Sequence, residues 1–76
     1  MAKLPTGLSG REVRATLERA SFVLRRQSGS HMILRRHEPH ARVVVPDHKQ
    51  IRVGTLRRII ADAGMTVDQF IELLNR

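Results

Sequence analysis

Between Phe22 and Val45 the chain carries three β-favouring runs, Phe22–Gln27, Ser30–Arg36 and Ala41–Val45, separated only by Ser28-Gly29 and by His37-Glu38-Pro39-His40. Parallel neighbours need a crossover of roughly a dozen residues or more, so connectors this short allow only antiparallel hairpins. The runs predict a three-stranded antiparallel meander. Within the second run, Met32 and Leu34 share one face, while His31, Ile33 and Arg35 share the other. The first set suits a core. The second is mixed and is expected to face solvent. Pro46 has no ladder donor and is expected to end the third strand.

The meander is flanked by helical patterns. Met1–Gly7 reads as a short lead-in broken by Pro5 and Gly7. Ser9-Gly10-Arg11-Glu12 then fits a capping box, with Leu8 and Val13 as the hydrophobic staple. Val13, Leu17 and Ala20 form the inner stripe of a helix from about Gly10 to Ala20. After a loop from Asp47 to about Val53, Leu56, Ile59, Ile60 and Ala63 mark a second helix, with Gly64 as its stop. Thr66-Val67-Asp68-Gln69 is another capping box, with Met65 and Phe70 as staple, and Val67, Phe70, Ile71 and Leu74 line a short final helix. The expected fold is α+β, ordered α-β-β-β-α with a short extra C-terminal helix. Helices cover one face of the sheet and leave the other open.

Residues 1–76 are expected to form one domain, since the length leaves no room for a second. With no cysteine, neither a disulfide nor a thiolate zinc site can staple it. Met1–Arg11 has no apolar stretch of the secretory kind, and Val43–Val45 is far too short to span a bilayer. A cytoplasmic protein with no membrane role is expected.

Charge points to the partner. Fourteen Lys and Arg stand against seven Asp and Glu, a net +7, and twelve of the fourteen are arginine. Residues 22–58 hold nine basic and two acidic side chains, which accounts for the whole surplus. Arginine's planar fork matches phosphate oxygens, so composition alone allows two readings, a polyanion bound on the middle of the chain or a solvated basic surface that aids solubility. Base stacking is disfavoured as the means of recognition, because there is no Trp or Tyr and both Phe22 and Phe70 fall at core positions.

Three islands, taken in order, identify a family. Gln27-Ser28-Gly29-Ser30-His31 resembles the Gly-Ser-His turn of HicA toxins, and Val45-Pro46-Asp47-His48 resembles their Val-Pro-x-His segment. Gly54-Thr55-Leu56-Arg57, continuing through Ile60, Ala63-Gly64, Thr66 and Phe70, is similar to their closing helical stretch, and Leu8-Ser9-Gly10 with Val13 and Leu17 also matches. The resemblance implies a fold like that of the double-stranded-RNA-binding domain. It also implies ribosome-independent cleavage of mRNA and neutralisation by a HicB-type antitoxin in an inactive complex. Two positions depart from the family pattern: Ser21, where many members have glycine, and Leu34, where an aromatic residue is frequent.

The resemblance makes His31 the candidate catalytic residue. A histidine's ordinary pKa, ~6.5, lets it accept or donate a proton near working pH, and RNA supplies its own 2′-hydroxyl nucleophile. Neither metal nor other cofactor is expected. Arg25, Arg26, Ser30, Arg35, His48 and Lys49 are the candidate RNA-binding residues, with His48 also a candidate second proton carrier. His37 and His40 read as exposed turn residues and, without a third ligand at useful spacing, as a poor zinc site. The alternative reading is a non-catalytic RNA-binding module of the same fold. A DNA-binding helix-turn-helix over Leu56–Leu74 is disfavoured because Asp68 and Glu72 would face phosphates. An adaptor for an acidic protein is the remaining rival.

Overall fold

The computed structural model describes residues 3–76, so the first two residues of the expected lead-in lie outside it. The order is α1 (Gly10–Glu18), β1 (Val23–Ser28), β2 (His31–Arg36), β3 (Ala41–Pro46), α2 (Val53–Asp62) and α3 (Val67–Leu74). The three strands form one antiparallel sheet in the order β1-β2-β3. This is the expected α-β-β-β-α layout with its extra C-terminal helix. Among the described residues no helix is long and apolar enough to cross a membrane.

Both expected capping boxes are formed. The Glu12 amide donates to Ser9 Oγ at 3.1 Å, and Ser9 N donates to the Glu12 carboxylate at 3.0 Å. At α3 the Gln69 amide donates to Thr66 Oγ1 at 3.1 Å, and Thr66 N donates to Gln69 Oε1 at 2.8 Å. Alternation along β2 turns Met32 and Leu34 inward, where they are essentially fully buried with Val43 and Val45 of β3. Val13 and Leu17 of α1, Leu56, Ile59 and Ile60 of α2, and Phe70 of α3 close the core from the same side. The opposite face of the sheet is open.

α1 stops two residues short of the expected Ala20, and the reason lies in how it is closed. The Phe22 amide donates to the Leu17 carbonyl at 3.2 Å and the Ser21 amide to the Glu18 carbonyl at 3.1 Å. This is a Schellman closure, which needs a left-handed residue, and Ser21 supplies it at φ 72°. α2 closes in the same way, with Met65 N donating to Ile60 O and Gly64 N to Ala61 O, and there Gly64 takes the left-handed position at φ 74°. Phe22 is drawn into the core as part of the closure, so β1 begins one residue later than expected. A side chain in this region costs roughly 1 kcal/mol. Ser21→Gly is therefore expected to raise stability by up to about 1 kcal/mol, less glycine's extra chain entropy, as read by urea unfolding.

Arg36, on the inward face of β2, clamps the far end of the sheet. Its Nε donates to the Pro39 carbonyl and its Nη2 to the Ala63 carbonyl, both at 3.0 Å, and its guanidinium lies 4.7 Å from the centre of the Phe22 ring.

Candidate active site

Gly29 and Ser30 join β1 to β2, with Ser28 paired opposite His31. Gly29, at φ 58°, takes the first central position of this two-residue turn, where a left-handed residue is needed. The turn is braced from three sides. The Asp47 amide donates to the Ser30 carbonyl at 2.6 Å. Gln27 Nε2 donates to the Gly29 carbonyl at 3.1 Å and to the Asp47 carboxylate at 3.0 Å, and Arg11 of α1 reaches the same carboxylate at 3.4 Å. Asp47 thus ties β1, the turn and α1 together, a role its residue type alone does not announce.

His31 opens β2 on the outward face and is exposed. The register sets its neighbours. Across the sheet, Ser28, His31 and Pro46 form one row, Arg26, Ile33 and Val44 the next, and Val23, Arg35 and Arg42 the last. The open face therefore carries an imidazole at one end, three arginines, and the exposed apolar side chains Val23 and Val44. Among the described residues, the ion pairs are Arg11–Asp47, Arg14–Glu18, Arg58–Asp62 and Arg76–Glu72. None involves Arg26, Arg35 or Arg42. Arg35 and Arg42 lie directly opposite each other, an arrangement that destabilises a sheet unless something of opposite charge lies over it.

The candidate residues fall into three groups. Arg26 and Arg35 share the open face with His31, one and two rows away. Ser30, His48 and Lys49 lie near the His31 end and are exposed. Ser30 precedes His31 in the turn, while His48 and Lys49 follow Pro46, the residue paired with His31. The His48 backbone carbonyl accepts from the Gly10 amide at 2.9 Å, which anchors that loop to α1. Arg25 stands apart, at the far end of β1 beside Arg35. The structure adds Arg42 to the site; no motif marks it, and strand register puts it beside Arg35 on this face. Among the described residues, no three His, Asp or Glu side chains cluster closely enough to share a metal ion.

No curated protein matches the chain. The family model for the HicA toxin of bacterial toxin–antitoxin systems matches residues 10–65. That span runs from the start of α1 past the end of α2 and takes in every candidate residue. The chain belongs to the HicA toxin family of bacterial toxin–antitoxin systems.

Proposed function

We propose that this toxin is an endoribonuclease that cuts mRNA without a metal, with His31 moving the proton in the cutting step. One observation carries the reading: an exposed imidazole shares an open sheet face with arginines that, among the described residues, no carboxylate neutralises. His31 takes the proton of a ribose 2′-hydroxyl, and the freed oxygen attacks the adjacent phosphorus. The bond to the 5′-oxygen breaks, and that oxygen leaves with a proton. The products are a 2′,3′-cyclic phosphate and a 5′-hydroxyl end. Arg26, one row from His31, is suited to the charge that builds on the phosphorane oxygens. His48, two residues beyond the partner of His31, is the candidate to return the proton to the leaving oxygen.

The family implies an antitoxin partner. We take it to be HicB-type, silencing the toxin in the cytoplasm by covering His31 and setting carboxylates against Arg26, Arg35 and Arg42. The deciding experiment incubates the purified protein with mRNA in excess EDTA. Cleavage is expected to persist and to leave cyclic phosphate ends. Tight, salt-sensitive binding with the RNA left intact would instead favour the non-catalytic module, which would use the same arginines.

A further inference from the structure

The far end of the meander holds a cluster that the cutting step leaves unused. Val23, Arg25, Arg35, Arg36, His37 and His40 line an open cleft of about 380 Å³. Three arginines and two histidines line it with no carboxylate among the lining residues, and the hairpin's one acidic residue, Glu38, is exposed and outside the lining.

Two features of the fold build this cleft. Leu24 pairs with Leu34 and Arg26 with Ile33, so Arg25 is the extra residue of a β-bulge. The bulge keeps Arg26 on the open face with His31 and sends Arg25 into the cleft. Bulges next to functional sites re-aim side chains in this way. Arg36 fixes the floor of the cleft, since its hydrogen bonds to the Pro39 and Ala63 carbonyls tie the end of β2 to the hairpin turn and to the end of α2. Among the described residues, neither Arg25 nor Arg35 has an ion-pair partner.

We propose that this cleft is a second phosphate subsite, holding a phosphodiester of the RNA strand other than the one that is cut. The proposal rests on the RNA reading above. His31 opens β2 and Arg35 lies four residues further on, roughly 13 Å at about 3.3 Å per residue. That is farther than the separation of neighbouring phosphates on one strand, so the cleft meets a different linkage. Between the two ends Arg26 stands on the same face, and Arg42 flanks Arg35 in the last row. A line of cations ending in a concave cleft suits a linear polyanion of regular charge. The guanidinium fork and imidazole donors suit a phosphate's tetrahedral oxygens.

The test uses a 2′-O-methyl RNA, which cannot be cut, as an oligonucleotide and as a dinucleotide. Arg25→Gln and the double variant His37→Gln/His40→Gln are titrated with both across a range of salt, with thermal melts as the folding control. The ratio of oligonucleotide to dinucleotide affinity is expected to fall about tenfold. For Arg25→Gln the slope of log affinity against log salt is expected to shrink by about 0.7, one phosphate no longer neutralised. An unchanged ratio or slope would overturn the subsite while leaving the cleavage reading intact. Loss of binding only to polyglutamate would overturn it as well, assigning the cleft to an acidic protein. If the wild-type protein binds the oligonucleotide but cuts no RNA in EDTA, cleavage fails and the affinity ratio still decides the subsite. If it binds neither, both readings fall.

Discussion

Alanine in place of His31 is expected to lower the cleavage rate by about 10²–10⁴-fold, with affinity for uncleavable RNA held within a few-fold. The asymmetry follows from the arrangement of the open face. On the proposed reading the affinity is carried by guanidiniums on the rows beyond His31, and the substitution leaves all of them in place. Only the proton transfer is removed. Because His31 is exposed and its side chain makes no hydrogen bond within the described residues, stability should move by no more than about 0.5 kcal/mol. His31→Gln tests the role more sharply, since glutamine can hydrogen-bond but cannot shuttle a proton near neutral pH. It should be as inactive as alanine. Single-turnover cleavage and binding to 2′-O-methyl RNA, measured side by side, separate the two quantities. A His31→Ala protein that still cuts RNA at close to the wild-type rate would remove the imidazole from the mechanism.

If His31 cuts and the arginines grip, as proposed, the two functions occupy different rows of one sheet face. A partner that covers only His31 leaves the arginines free to hold RNA. A partner that neutralises only the arginines leaves the imidazole exposed. An antitoxin that blocks both cutting and RNA binding would, on that reading, span the face from Pro46 to Arg42, a row of alternating β3 positions. Val44, exposed midway along that row, offers it an apolar contact between the two charged ends.

How much of the fold and the site is legible in the sequence depends on whether a feature is local. The alternation of Met32 and Leu34 with His31, Ile33 and Arg35 fixes the two faces of β2 from residue spacing alone, and both capping boxes are complete within four residues. Three features are not local. The Arg25 bulge depends on which residue of β1 is doubled against β2, and the run Leu24-Arg25-Arg26 is equally compatible with a regular strand. Alternation along β3 turns Arg42 outward, but its place opposite Arg35 comes only from the register. His37 and His40 are exposed turn residues, as expected, but their place in a cleft with Arg25 and Arg35 comes from the folding of the hairpin end. Ser21 lies between these cases. The departure from glycine is visible in the residue type, while the left-handed backbone that makes it matter appears only with the closure of α1.

The second large effect is expected at Gly10, the first residue of α1. Gly10 is buried, and its amide donates to the His48 carbonyl at 2.9 Å. A Cβ built there would collide with the Pro46 carbonyl and lie 3.1 Å from the Asp47 Cα. All of these obstacles are backbone, so no side chain can swing aside. Relief requires α1 to lift from the end of β3. Gly10→Ala is expected to cost about 3 kcal/mol or more, at the upper end of overpacking effects. For a chain of this size that lowers Tm by roughly 10–20 °C. Gly54 provides the contrast within the same protein. It sits in the first turn of α2 with open space where its Cβ would be, so Gly54→Ala should raise stability by as much as about 1 kcal/mol through helix propensity. The pair also discriminates a local cause from a general one. Pro46 is paired with His31, so lifting α1 disturbs the row that holds the imidazole, and Gly10→Ala should lose cleavage even at temperatures where it remains folded. Gly54→Ala should keep it. Thermal melts and cleavage assays on both variants decide the matter, and a Gly10→Ala protein as stable as the wild type would mean that α1 does not rest on the Pro46–His48 segment at all.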